Sequence, residues 1–317
     1  MNRKDFLKTL AGGAALPFAG CYTADRMPQA RNAHLNLAKV FGPTGPKGEY
    51  HIFSKLFQHL DYDHVAELFA QAGAQGIEWT IRKGGHIEPA RLKTDLPKAV
   101  AAARKQGLKS EMAVVSYTSP DDEGAADTLK AMADQGFRQF RPGYYFYGKD
   151  ETPAEAADRV KASLAKWAAF GEKTGLRSVH QNHSACGANF MFGSLIWDMW
   201  DVMKDFDPRF VAFEYDPMHA MCETGVAFAR AFEKVLPHVG AICLKDFHFK
   251  MAKDNKRWAK QLCPAGEGIV PWQQVKDIAA KGGVHGPYVL HFEWDFPKDD
   301  LLKTVKKELD FFKGVFG

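Results

Sequence analysis

Glu214, Asp216 and His219 are the residues whose types and spacing first suggest chemistry in this sequence. They follow the apolar run Phe210-Val211-Ala212-Phe213, and Pro217 stands between the second acid and the His. On an extended strand alternate side chains share a face, so Glu214 and Asp216 point the same way. Pro217 then ends the strand, and His219 falls on the loop beyond it. An acid at a strand's C-terminal end, followed by a loop His, is how a (β/α) barrel assembles an active site. The structural alternative is a buried strand whose Asp216 caps the next helix.

Other apolar runs end in the same manner. They give Glu78, then Glu111 or Ser116, then Arg141, and then His180, Gln181 and His183. Further along come Lys245, Asp246 and His248, and finally His291 and Glu293. Ionisable groups at nearly every strand end are costly to bury without a purpose. Carboxylate, amide and imidazole groups are also the donors that divalent ions take. Asp216 and Glu293 are the carboxylates for such an ion and Gln181 a neutral oxygen ligand, with His183, His219 and His248 available to complete the set. The alternative is a metal-free pocket whose polar groups hydrogen-bond a polyol. Trp79, Tyr117, Tyr144, Tyr145, Tyr147, Trp258 and Trp294 stand at or near strand ends, where aromatic faces stack on sugar rings.

The elements that must hold these residues recur regularly. Strands are expected to begin near Tyr50, Gly76, Lys109, Phe137, Leu176, Phe210, Val239 and Gly286. Their spacing, roughly 25 to 40 residues, is the length of one βα unit. Helical periodicity covers Leu92 to Gln106, ending at Gly107, and a segment opened by Thr152-Pro153-Ala154-Glu155 that runs to Gly175. Later helices are expected over Trp197 to Lys204, Val226 to Leu236, Trp272 to Ala280 and Leu301 to Phe312. Eight such units predict an α/β fold, a (β/α)₈ TIM barrel over residues 48–317. An open doubly wound sheet would want a glycine-rich phosphate loop after an early strand, and neither Gly12-Gly13 nor Gly84-Gly85 has that pattern.

Composition narrows the partners. The 317 residues are 46% hydrophobic and 25% charged, with a formal net charge of +4 and no block of Lys or Arg. That balance argues against nucleic acid as a partner, and no apolar run is long enough to span a membrane. Residues 1–21 read as an export signal: a basic start at Arg3-Lys4-Asp5-Phe6-Leu7-Lys8, a weakly apolar Ala/Gly segment, then Cys21. Arg3-Lys4-x-Phe6-Leu7-Lys8 resembles a twin-arginine signal, and Phe18-Ala19-Gly20-Cys21 resembles a lipobox, so a periplasmic location and a lipid anchor at Cys21 are expected. Cleavage before Cys21 would remove three cations and one anion, taking the formal charge from +4 to +2. Residues 22–47 read as a linker. Cys186, Cys222, Cys243 and Cys263 show no paired spacing, hence neither a disulfide framework nor a zinc knuckle.

From about Tyr50 onward the chain resembles the xylose isomerase-like barrel family of sugar isomerases and epimerases. The resemblance rests on Gln181-Asn182-His183, Asp216-Pro217-Met218-His219, Cys243-Leu244-Lys245-Asp246, His291-Phe292-Glu293 and Gly266-Glu267-Gly268. It implies one divalent metal (Mn, Mg, Zn or Co) on the strand-five acid, Asp216, a strand-seven His and Glu293. Here Gln181 stands for the acid and Cys243 for the His, so the expected ligands become Gln181, Asp216, His248 and Glu293. Two-carboxylate relatives use the strand-five and strand-eight acids as paired bases, and Gln181 has no useful basicity. Glu293 is then the remaining carboxylate base, Lys245 the group stabilising an enediolate oxygen, and His183 or His291 the candidate for the second role. Glu78, Arg141, His219, Asp246 and Trp294 are expected to contact a small carbohydrate or glycoside. The resemblance includes exported bacterial relatives that cleave 3-keto-glycosides, which makes a keto-glycoside lyase the leading expectation. A keto-sugar isomerase or epimerase is the alternative, and a carbohydrate-binding barrel without catalysis a further one.

Overall fold

In the computed structural model, which describes residues 48–184, 190–252, 256 and 258–317, eight parallel strands close on themselves. They are β1 (Tyr50–Phe53), β2 (Gly76–Thr80), β3 (Lys109–Val114), β4 (Gln139–Arg141), β5 (Arg177–Gln181), β6 (Val211–Tyr215), β7 (Val239–Leu244) and β10 (Tyr288–Leu290). β1 pairs with both β2 and β10, which closes the barrel. A further antiparallel ribbon, β8 (Asp246–Met251) and β9 (Trp258–Cys263), rises directly from the end of β7. The expected signal, Cys21 and the linker over 1–47, together with Cys186, lie outside the described residues.

Nine α-helices separate the strands among the described residues: α1 (Tyr62–Ala72), α2 (Leu92–Lys105), α3 (Ala125–Asp134), α4 (Pro153–Thr174), α5 (Ile196–Met203), α6 (Pro217–Thr224), α7 (Phe228–Val235), α8 (Trp272–Lys281) and α9 (Leu301–Phe316). α4 starts where its sequence says it should. The Thr152 hydroxyl accepts from the Glu155 amide while Glu155 reaches back to the Thr152 amide, and Gly175 ends it with φ +76°. Strand faces turned toward the helices carry the apolar core, with Phe140 against Trp167 and Tyr215 stacked on Phe232.

α6 corrects one expectation. Pro217 does not lead into a loop; it is the first residue of a short helix, for which a fixed φ and a missing N–H are suited. Asp216 Oδ1 accepts the His219 amide at 3.0 Å, so the carboxylate both caps α6 and faces the barrel interior. The catalytic and capping readings of Asp216 are compatible.

Candidate active site

The C-terminal strand ends carry polar side chains in two tiers. At the C-terminal ends of β6, β7 and β10 they come as pairs two residues apart: Glu214 with Asp216, Cys243 with Lys245, and His291 with Glu293. Alternation aims both members of each pair inward at successive heights. Glu214, Cys243 and His291 form the deeper tier, with Glu78 of β2 beside them, and all four are buried. Asp216, Lys245 and Glu293 form the tier nearer the mouth.

Lys245 organises the nearer tier. Its Nζ lies 2.8 Å from Glu293 Oε2, 3.1 Å from Asp216 Oδ2 and 2.8 Å from His219 Nε2. Burial alone would lower this ammonium, but Asp216 and Glu293 carry it above the usual lysine range. Burial would likewise raise Glu293, yet Lys245, His291 and Lys55 hold it well below the usual carboxylate range. Because the ammonium can only donate, His219 Nε2 accepts, and Nδ1–H donates to Ser184 Oγ at 2.8 Å. His183 stacks on His219 with ring centroids 3.8 Å apart. Its Nδ1 meets the Ser184 carbonyl at 2.8 Å and must donate there, leaving Nε2 as an acceptor. Burial, and then Lys245, push the His183 imidazole down to about 3, so it is neutral.

Gln181 joins the tiers through the end of its amide that the sequence could not reveal. Its oxygen accepts from Arg141 and from the Tyr144 hydroxyl, so its nitrogen donates to Asp216 Oδ2 at 2.8 Å and faces Cys243 Sγ at 3.5 Å. The arrangement does not fit a divalent ion on Gln181, Asp216, His248 and Glu293. Gln181 turns its oxygen away, and the Lys245 ammonium already supplies positive charge between the two carboxylates. His248 lies on β8 opposite Gln261 and makes no hydrogen bond to the other three among the described residues.

A cavity of about 90 Å³ opens above Lys245, lined by Lys55, Arg82, Arg141, Tyr144, Gln181, His183, Lys245, His291 and Glu293. Lys55 Nζ meets Glu293 Oε1 at 2.8 Å. Neither Lys55 nor Arg82 stands out by sequence, although each lies two residues past a strand and reading every strand end slightly further would have found both. Arg141 anchors the cavity floor with its Nε 3.3 Å from Glu214 Oε2, and its guanidinium lies over the Phe53 ring. Burial raises both Glu78 and Glu214; the charge of Glu214 adds to the rise at Glu78, while Arg141 opposes it at both.

Other expected contacts lie elsewhere. Asp246 is saturated by four donors, the amides of Phe247, Gly266 and Val270 and the indole of Trp272, so it anchors the loop before α8. That explains Gly266-Glu267-Gly268: a Cβ on Gly268 would stand 2.0 Å from Asp246 Oδ1. Trp294 packs beside Phe296 and is absent from the cavity wall, and Trp79 faces the helices, donating to Ser110. His180 also faces outward, against Tyr145. Glu111 lines a separate cavity of about 280 Å³ at the opposite end of the barrel. Of the aromatic residues singled out by sequence, Tyr144 lines the cavity above Lys245.

Among the described residues one set of three, Glu214, Cys243 and His291, could hold a metal ion, its donor atoms lying within 4.8 Å of one another.

A family model described as the xylose isomerase-like TIM barrel matches residues 66–315. No curated protein matches the chain in sequence. Among solved structures, D-psicose 3-epimerase from Clostridium cellulolyticum H10, determined with D-tagatose, superposes with a TM-score of 0.62 at 15% identity over 84% of this chain and 99% of that one. A 3-keto-D-glucoside 4-epimerase from E. coli gives 0.63 at 16% identity, covering 84% and 100%. A xylose isomerase-like TIM barrel protein from Mycobacterium smegmatis, solved with magnesium, gives 0.58 at 13% identity, covering 85% and 98%. At these identities the likeness is one of fold.

Proposed function

The chain belongs to the xylose isomerase-like TIM barrel family, and from that premise we propose that it removes the proton next to a carbonyl of a small carbohydrate. The observation that carries this reading is Lys245, an ammonium fixed between two carboxylates and an imidazole at the floor of a cavity with three further cations in its wall. Preorganised positive charge of this kind favours an oxyanion that develops during reaction over the neutral carbonyl that precedes it.

In the proposed step Glu293 takes the proton, and the C–H electron pair becomes the enediolate double bond. Lys245, with Arg82 and Arg141, stabilises the oxyanion. The electron pair then returns to expel a substituent on the β carbon, whose oxygen leaves as an alcohol with the proton from Glu293. One carboxylate base suffices for this elimination, and Gln181 in place of a second acid favours it over a two-base epimerisation. A keto-glycoside lyase is therefore our first reading. A keto-sugar epimerase is the second, supported by the place of the His183 imidazole in the cavity wall. The export-like residues 1–21 support a periplasmic enzyme carrying lipid on Cys21.

Incubating the protein with 3-keto-glucosides in deuterated water tests the reading. Release of the aglycone alcohol is expected, and Glu293→Gln should lower kcat/KM by about 10³-fold. Deuterated epimer without alcohol release would move the second reading to the front. A Glu293→Gln variant of undiminished activity would overturn both.

A further inference from the structure

The deeper tier contains polar groups that the proposed reaction leaves unused. Nε2 of His291 has no hydrogen-bond partner, and the carboxyls of Glu78 and Glu214, shut off from solvent, find none beyond each other and the Cys243 thiol, with Arg141 Nε 3.3 Å from Glu214 Oε2. Buried polar groups are nearly always satisfied, so an unpaired imidazole nitrogen facing two buried acids and a thiol needs an explanation. Cys243 completes the cluster, its sulfur within 4.8 Å of donor atoms on Glu214 and His291. Glu78 Oε2 stands 3.8 Å from His291 Nε2, beside that set of three.

We propose that Glu78, Glu214, Cys243 and His291 hold a structural zinc ion below the cavity floor. The donors are one thiolate, one imidazole and two carboxylates, a set that selects zinc over magnesium or calcium. Four protein ligands close the coordination sphere, as in structural rather than catalytic sites. The charges also balance, since a dication and Arg141 offset two carboxylates and a thiolate. The four ligands come from β2, β6, β7 and the residue following β10, so the ion would tie together four strands of the barrel. It lies one tier below the Asp216–Glu293 set that the Lys245 ammonium fills.

The full chain should be produced with zinc and, separately, with cobalt. Elemental analysis should find about one zinc per chain. The cobalt form should show a near-ultraviolet thiolate-to-metal charge-transfer band. Cys243→Ser should abolish the band and lower zinc content on the order of tenfold or more, whereas Asp216→Asn should retain both. Should Cys243→Ser fail to fold by circular dichroism, His291→Gln serves in its place, with the same loss of metal expected. Metal-free protein after loading during folding would overturn the proposal. So would metal lost in Asp216→Asn but kept in Cys243→Ser. The proton-abstraction reading stands apart from either result, because no step in it uses the ion.

Discussion

Lys245 exchanges its hydration shell for Asp216, Glu293 and His219, and each of those groups then depends on it. Replacing it by Met keeps the length of the side chain but leaves two carboxylates buried without their shared cation. Removing one partner of a buried pair costs about 3–5 kcal/mol, to be read from the denaturant midpoint. Activity of the folded Lys245→Met protein should fall by about 10²–10³-fold, measured as alcohol release under conditions where it is fully folded. Wild-type stability would mean that Lys245 is not the centre of this tier. The residue types Glu293, Lys245, Asp216 and His183 were legible because acids, amines and imidazoles at strand ends carry their own chemistry. The orientation of Gln181 was not. It is set by Arg141 and Tyr144, 40 and 37 residues away in sequence, and no local pattern encodes which end of an amide they grip.

At the scale of elements, caps and periodicity identify the long helices, as Thr152 and Glu155 do for α4. α6 escaped because eight residues give too little periodicity, and Pro217 reads equally well as a strand's end or a helix's first residue. The β8–β9 ribbon escaped because Asp246 and His248 read as site residues rather than as the start of a hairpin. One helix carries a pH prediction. Glu308 on α9 accepts the Ala265 amide with both oxygens, and burial pushes its carboxyl up to about 7. The folded state therefore holds a proton that the unfolded chain has lost between about pH 4.5 and 7. That contribution is fully present below the unfolded pKa and disappears as pH rises through 7. Glu308→Gln keeps an acceptor for Ala265 without the charge. It should flatten the decline in stability from pH 5 to 8 by about 2 kcal/mol, checked by thermal melts of both proteins across that range. Parallel pH profiles would show that Glu308 is not the group responsible.

For the whole molecule, the repeat of eight βα units was legible from spacing alone, and parallel pairing of β1 with β10 closes it as a barrel. The two-tier interior was not, since it exists only once strands distant in sequence stand side by side. The proposed anchor has its own test. Intact-mass measurement of the protein from a host with lipoprotein processing should give a chain beginning at acylated Cys21, and a chain retaining residues 1–20 would remove the anchor. All barrel strands run in one direction, so their starts share one end, where Gly48 meets Gly317: a Cβ on Gly48 would fall 2.6 Å from the Gly317 carbonyl oxygen. The cavity is at the other end. A side chain introduced at Gly48 would therefore strain the closed end of the barrel and leave the mouth, where Lys245 stands, untouched.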